Sequence, residues 1–380
     1  MSVLLPVTGH REVRLALART AARGELPNSL LFHGPAGIGK QRLALWLAQL
    51  LLCERPGDDP CGGCRPCHLA SRLEHPDLHW FFPMPRPKGA SADRLSDALE
   101  DARSAELAAR RAEPLRPSLP IGLAGIYLAQ VQTMIRIASA RPAMGSRKLF
   151  VVGDAELLVP QEASPEAANA LLKLLEEPPA DTTLVLTASD PELLLPTIRS
   201  RLLPVRIRPL PASEAARYLV EHGDVDPERA AWAATLASGS IGRALGFLPN
   251  GTEPGALDDI RAQGKALLEA ALDPSGVGRL ALAHAESPAG ARAAFSDALE
   301  SLTLWLRDLA AAASGAEDAV LNRDALDWLR GAARRVPGAE GVPDAIRAVE
   351  ETIQLTQLNI NPQLATAALL GRVRAALQAL

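Results

Sequence analysis

Apolar residues in the first half of the chain gather into short unbroken runs, each closed by a glycine or a polar residue. SLLFH at 29 to 33 is one, and the glycine turn after it gives way to an apolar helical face over residues 42 to 52. KLFVVG at 148 to 153 and TTLVLTA at 182 to 188 are two more. Short apolar runs alternating with helical periodicity predict the strands of a parallel α/β sheet. Such sheets bind ligands at the carboxyl ends of their strands, so chemistry is expected in the residues that follow each run.

Between these runs, residues 83 to 125 break the pattern with Pro83, Pro85, Pro87, Pro114, Pro117 and Pro120 around a charged helical piece, DRLSDALEDARSAELAARRAE. With few large apolar residues, this insertion reads as a solvated surface excursion, and a contact arm for a partner is the alternative. Strand signals stop after RLLPVRIRPLP at 201 to 211. Residues 213 to 247 suggest small helices, and the pattern is helical from about 255 to the end. There Ala291, Phe295, Ala298, Leu299, Leu302, Trp305, Leu306 and Leu309 recur at helical spacing, which predicts a separate all-α domain. Trp305 and Trp328 read as helix-packing residues.

At 380 residues the chain has room for two or three domains, and its net charge of -4 gives it no overall attraction for nucleic acid. Any DNA contact must come from a local basic surface or from partner subunits. No apolar run reaches the ~20 residues that span a bilayer, and the start MSVLLPVTGHREV has no signal-peptide pattern, so a cytoplasmic protein with no membrane partner is expected. Lysine is rare: positions 40, 88, 148, 173 and 265 hold all of it, which makes Lys40 the more informative.

Lys40 closes the run Gly34-Pro35-Ala36-Gly37-Ile38-Gly39-Lys40, between a predicted strand and a predicted helix. Glycines there turn backbone N–H groups toward phosphate oxygens, the helix N-terminus adds a positive dipole, and the lysine reaches the β and γ phosphates. ATP or ADP is the ligand this predicts; a glycine turn that only packs the helix on the sheet is the alternative. Hydrolysis needs more, namely a hydroxyl after the lysine and a strand-end carboxylate to hold Mg²⁺. Gln41 supplies an amide instead, and Asp154 has the strand-end position but is followed by Ala155. Glu156, one place further, points to the opposite face if the strand continues. Nucleotide binding with incomplete machinery for splitting it is the expectation.

All four cysteines fall in one window, Cys53, Cys61, Cys64 and Cys67. Four thiolates complete a tetrahedral shell for structural Zn²⁺ and leave no open position for water; two disulfides are the alternative. His68 and His75 are surplus and read as solvated. Further on, EAANALLKLLEEPP at 166 to 179 is an amphipathic helix stopped by two prolines, and PTIRSRL brings Arg199 and Arg201 just past a strand. An arginine so placed is either an ordinary surface residue or a finger into another subunit's nucleotide site.

GPAGIGK, the four-cysteine window, the run ending in Asp154, NALLKLLEEPP, TASDPELLLPTIRSR and the later GSIGRAL together resemble the AAA+ clamp-loader subunits of bacterial DNA polymerase III. The order and spacing match over about the first 246 residues, and NINPQLATAALL fits that family's collar more loosely. The resemblance implies a RecA-like α/β AAA+ domain over residues 1–208 with a zinc knuckle at 53–67 and the insertion at about 83–125. A helical lid over 209–247 and an all-α collar over 255–380 would follow.

It implies roles residue by residue. Gly34, Gly37, Ile38, Gly39, Lys40, Gln41 and Asp154 line the nucleotide site, Ser189 matches the first sensor position and Arg243 the second. Arg201 matches the arginine of a Ser-Arg-Cys element that reaches a neighbour's ATP, with Leu202 in place of the cysteine. The motor subunits gamma and tau carry a threonine after the lysine and an Asp-Glu pair at the strand end. Gln41 and Asp154-Ala155 therefore suit a non-hydrolysing member of the ring, within the DNA-directed DNA polymerase assembly. Its partners would be gamma or tau, delta, the beta sliding clamp and primed DNA. An active gamma- or tau-like ATPase, a P-loop small-molecule kinase and a zinc-dependent adaptor are the rival readings.

Overall fold

The computed structural model describes residues 4–87, 94–115, 124–158, 166–249, 255–285, 292–356 and 361–379. Pro117 and Pro120 of the expected insertion lie outside the described residues. The chain divides into two compact units, Met1–Leu245 and Gly246–Leu380. The first begins with α1 (Arg11–Ala22), β1 (Ser29–His33), α2 (Lys40–Leu52), α3 (Arg65–Ser71), β2 (Leu78–Phe81) and β3 (Met84–Pro85). It continues with α4 (Leu95–Ala112), β4 (Ala124–Gly125), α5 (Leu128–Ser139), β5 (Lys148–Val152), α6 (Glu166–Glu176), β6 (Thr182–Ala188), α7 (Pro196–Arg199) and β7 (Leu203–Arg206). Three short helices, α8 (Ala212–Gly223), α9 (Pro227–Leu236) and α10 (Ile241–Gly246), follow.

The main sheet is parallel throughout, with strand order β2-β5-β6-β1-β7. Its central strands β5 and β6 are buried along their whole length, which is why they read as unbroken apolar runs. Side chains alternate between two cores, as the period of a strand requires. Leu30, Phe32, Val151 and Val185 face α1, α2 and α4, while Leu31, Phe150, Val152, Leu184 and Leu186 face α5, α6 and α7. Pro204 sits in β7, an edge strand, where a missing N–H costs nothing.

Edge strand β2 was not foreseen, since LHWF is too short and too mixed to stand out. Asp77, just before it, fixes its approach: the buried carboxylate accepts N–H groups from Ala143 (2.6 Å), Met144 (2.8 Å) and Gly145 (2.7 Å). His75 is buried rather than solvated, its Nδ1 accepting the Asp77 N–H at 3.1 Å. Nor is α4 a solvated excursion. Leu99 is buried in the core with Trp80 and Phe82, and Leu95, Ala102 and Leu107 pack at its edge. Small residues spaced along one helix face were enough, because arginines supply the rest of the contact: Arg110 lies 4.5 Å over the Trp80 ring and 4.4 Å over Phe82, and Arg103 lies 4.7 Å over Phe81.

The second unit is helical: α11 (Ala256–Leu272), α12 (Val277–Ala285), α13 (Arg292–Ala313), α14 (Leu326–Ala333), α15 (Val342–Thr356) and α16 (Pro362–Gln378). One core joins them, with Leu299, Leu302, Trp305, Leu306 and Leu309 of α13 at its centre. Trp305 is buried, donating its indole N–H to the Arg261 carbonyl at 3.0 Å, and meets Trp328 edge-on, so both tryptophans pack helices as their spacing predicts. Gly264 lets α11 close on α13, since a Cβ there would meet Ser301 Oγ at 2.4 Å. No described helix is long and apolar enough to cross a membrane.

Candidate functional site

The parallel order brings the carboxyl ends of β1, β5 and β6 together, and the residues after each form one cluster. The loop after β1 is tied at both ends by Lys40. Its buried ammonium donates to the carbonyls of Gly34 (2.8 Å) and Pro35 (2.9 Å) and to Ser189 Oγ (2.9 Å) after β6. Burial pushes the Lys40 pKa down, and the carboxylates of Asp154 and Glu156 oppose that. The backbone N–H groups of Gly37, Ile38, Gly39 and Lys40 make no hydrogen bond among the described residues. Four unspent donors at the start of α2, beside an ammonium, form a cradle for an anion of the size of a phosphate. The loop fits a nucleotide.

The crest of the loop packs under the start of α10. Gly242 N donates to the Gly37 carbonyl at 2.8 Å, and Ser240 Oγ to the Ala36 carbonyl at 3.0 Å. A Cβ on Gly37 would meet Ser240 Oγ at 2.6 Å and Arg243 N at 2.8 Å, and its φ of 72° suits glycine. Arg243 is thus brought to the loop by its backbone. His10 reaches it too, Nε2 lying 3.3 Å from the Ile38 carbonyl.

At the place where a P-loop hydroxyl and a strand-end carboxylate share magnesium, the side chains meet each other. Gln41 Nε2 donates to Asp154 Oδ2 at 3.0 Å, and Gln41 Oε1 accepts from Trp80 Nε1 at 3.0 Å. The Asp154 carboxyl is pushed up by burial, against Lys40, Arg110 and the Gln41 amide. The Gln41 amide occupies the place of the hydroxyl ligand: its nitrogen offers magnesium no lone pair and takes Asp154 Oδ2, which a metal would have to win back.

Glu156 differs from expectation. β5 ends at Val152, and a 3₁₀ turn over Ala155–Leu158 replaces further strand, so Glu156 turns back toward the site. Its Oε1 accepts the Ser189 N–H at 2.7 Å, while its buried Oε2 has no partner among the described residues. Burial raises its pKa as well. The positive φ of Asp154, 46°, makes that turn, its N–H held by Thr187 Oγ1 at 3.0 Å.

Arg201 is not part of this cluster. It precedes the amino end of β7, whereas the loop follows the carboxyl end of β1, and the two strands run parallel with Leu30 opposite Leu203. Four residues of strand separate the two levels by about 13 Å. The Arg201 side chain is 36% exposed, its Nη2 2.7 Å from Glu176 Oε1 and its Nη1 2.8 Å from the Thr197 carbonyl.

The second site is the cysteine window. Cys53 caps α2, Cys64 caps α3 and Cys67 lies in α3, so two helix ends and the loop between them converge four sulfurs within 4.8 Å of one another. A tetrahedral shell at a zinc–sulfur distance of ~2.3 Å has sulfurs ~3.8 Å apart. Cys61 and Cys67 lie at 4.0 Å, Cys53 and Cys64 at 3.9 Å. Arg55 N and Cys61 N point at Cys53 Sγ, and the N–H groups of Gly63 and Cys64 pull the Cys61 thiol down to about 6, whereas burial pushes the Cys53 and Cys67 thiols up. Donors aimed at sulfur favour thiolates, the form that holds metal. The four cysteines fit zinc. Asp59 staples the knuckle to the domain, accepting from Arg14 at 2.8 Å and from Trp46 Nε1 at 2.9 Å.

Sequence reading missed Trp80, Gly153, Arg110, Ser240 and Glu176. Each acts through a contact between segments distant in the chain; Ser240 and Glu176 lie within GSIGRAL and NALLKLLEEPP, but neither run assigned them a role.

A family model described as DNA polymerase III, delta subunit, matches residues 9–211, more than half of the chain. The DNA polymerase III subunit delta' of Pseudomonas aeruginosa is 32% identical over 200 residues, 52% of this chain and 48% of that protein. Its Bacillus subtilis counterpart is 30% identical over 222 residues, 58% of this chain and 54% of that protein. The tau subunit of Bacillus subtilis is 24% identical over 363 residues, 92% of this chain and 53% of that protein. The chain spans about half the length of the curated relatives it matches.

Proposed function

The chain belongs to the DNA polymerase III delta prime family of clamp-loader subunits, and on that premise we propose that it is the non-hydrolysing member of a clamp-loader ring. It stands beside gamma or tau and delta, lends Arg201 to a neighbour's nucleotide site, and helps place the beta sliding clamp on primed DNA. Residues 1–208 are its AAA+ domain, 209–247 its lid and 255–380 its collar. Its own loop holds ADP or ATP without turning it over.

The observation that carries this reading is the separation of Arg201 from the loop of its own chain. A part-exposed guanidinium at the opposite end of the sheet cannot serve its own nucleotide; to serve another it exchanges Glu176 and the Thr197 carbonyl for the neighbour's phosphate. Gln41, tied to Asp154, agrees with the absence of turnover. Glu156 stands on the side of an active motor, because its carboxylate accepts the Ser189 N–H and so lies at the site rather than away from it.

ATP turnover separates the two. The chain alone should show none; with gamma, delta, clamp and primed DNA, turnover should appear and fall with Arg201→Ala. An arginine finger contributes roughly 10³ to 10⁵ in rate, so the loss at the one interface it serves should be of that order while gel filtration shows the assembly intact. Strong turnover by the chain alone, indifferent to Arg201→Ala and lost with Lys40→Ala, would make it a motor instead.

A further inference from the structure

We infer that the loop binds nucleoside di- or triphosphate without magnesium, the Gln41 amide standing in the metal's place. The inference rests on the loop's binding nucleotide and not on the chain's place in a ring.

The amide is fixed from both sides. An indole N–H can only donate, so Trp80 Nε1 at 3.0 Å forces Oε1 toward itself and the amide nitrogen toward Asp154 Oδ2, which can only accept when ionised. The orientation therefore follows from the partners. Space has been made for it as well. A Cβ on Gly153 would meet Gln41 Oε1 at 2.5 Å and both Cδ and Nε2 at 2.6 Å, so the residue before Asp154 must be glycine while the amide lies there.

Trp80 is itself held. Arg110 of α4 covers its ring at 4.5 Å, and Phe82 meets it edge-on with centroids 5.4 Å apart. The inserted helix thus supports the residue that aims the amide. Metal in a P-loop neutralises phosphate charge and links it to the strand-end carboxylate. Here Lys40 and Arg110 place positive charge near Asp154, and the amide makes the link. One of its two N–H groups is spent on Asp154, leaving the other for a phosphate oxygen.

Equilibrium binding of a fluorescent ADP to the full chain, in EDTA and in excess magnesium, tests this. Wild type should bind with affinities within about two-fold of each other, and Gln41→Thr, which restores a hydroxyl, should gain about ten-fold or more on adding magnesium. Lys40→Ala should lose binding in both buffers, which places the probe in the loop. Trp80→Phe keeps an aromatic ring under Arg110 and removes the N–H together with the five-membered ring; metal-free binding should weaken while gel filtration and circular dichroism show the chain folded.

Wild-type binding that appears only with magnesium would overturn the inference, as would no binding by the folded chain in either buffer, or a Gln41→Thr variant indifferent to the metal. Assembly with gamma and delta, followed by gel filtration on the same preparations, is scored apart. Its failure would sink the clamp-loader role and leave the binding result standing.

Discussion

Two places in the first unit gather groups that hold divalent cations elsewhere, and they answer the problem in opposite ways. At the knuckle, four sulfurs converge within 4.8 Å with two backbone N–H groups aimed at Cys53. At the end of β5, a carboxylate is already bonded to an amide, and the amide to an indole. Like charges brought together need a cation, whereas a lone carboxylate can be answered by neutral donors and a distant lysine. The knuckle gathers four sulfurs that could hold a cation, and at the loop the carboxylate is answered by groups of the protein.

The largest effect should come from breaking the knuckle. Cys67→Ser removes a buried ligand, and bound zinc, measured by elemental analysis, should drop from one per chain toward zero. Structural zinc contributes ~10 kcal/mol or more in isolated zinc peptides, so a loss on the order of 5 kcal/mol is expected here, where packing through Asp59 retains part of the fold. Wild type purified without zinc and equally stable would end the contrast between the two sites.

A smaller effect should follow from Gly153→Ala. The added methyl group overlaps the Gln41 amide and should cost about 1 to 3 kcal/mol in denaturant unfolding. In a Gln41→Ala background the same change should cost less than about 0.5 kcal/mol, because the colliding atoms are gone. Equal costs in both backgrounds would show that the amide does not lie against Gly153.

The smallest concerns Glu156, whose pKa burial raises. A raised carboxyl is fully compatible with the fold below its unfolded value, and its contribution is lost as pH rises through the folded one. Glu156→Gln does not titrate, so its stability relative to wild type should improve as pH rises above the ordinary glutamate range and show no such trend below it. A pH-independent difference would place the carboxylate in solvent.

How much of this was written in the chain differs from element to element. SLLFH, KLFVV and TTLVLTA are legible because a strand covered on both faces is mostly apolar, the buried Ser29, Lys148, Thr182, Thr183 and Thr187 apart. LHWF at the sheet edge is half-covered, carries a histidine and gives no such signal. DRLSDALEDARSAELAARRAE reads as solvated because its contacts are made by arginines over aromatic rings, and a hydrophobic count takes an arginine for surface. His75 reads the same way, yet one hydrogen bond to backbone lets it be buried.

The sequence by itself determined the groups whose spacing is short. Gly34 to Lys40 are seven consecutive residues, the four cysteines span fifteen, and backbone geometry over such distances leaves the chemistry little freedom. The tertiary structure decided everything that depends on which strand lies beside which. The order β2-β5-β6-β1-β7 puts Trp80 within reach of Gln41 and Ser189 against Lys40, and sends Arg201 to the far end of the sheet from the loop. Whether Gln41 is a damaged residue or a substitute for a metal ion turns on a tryptophan 39 positions away, and only the pairing of strands brings the two together.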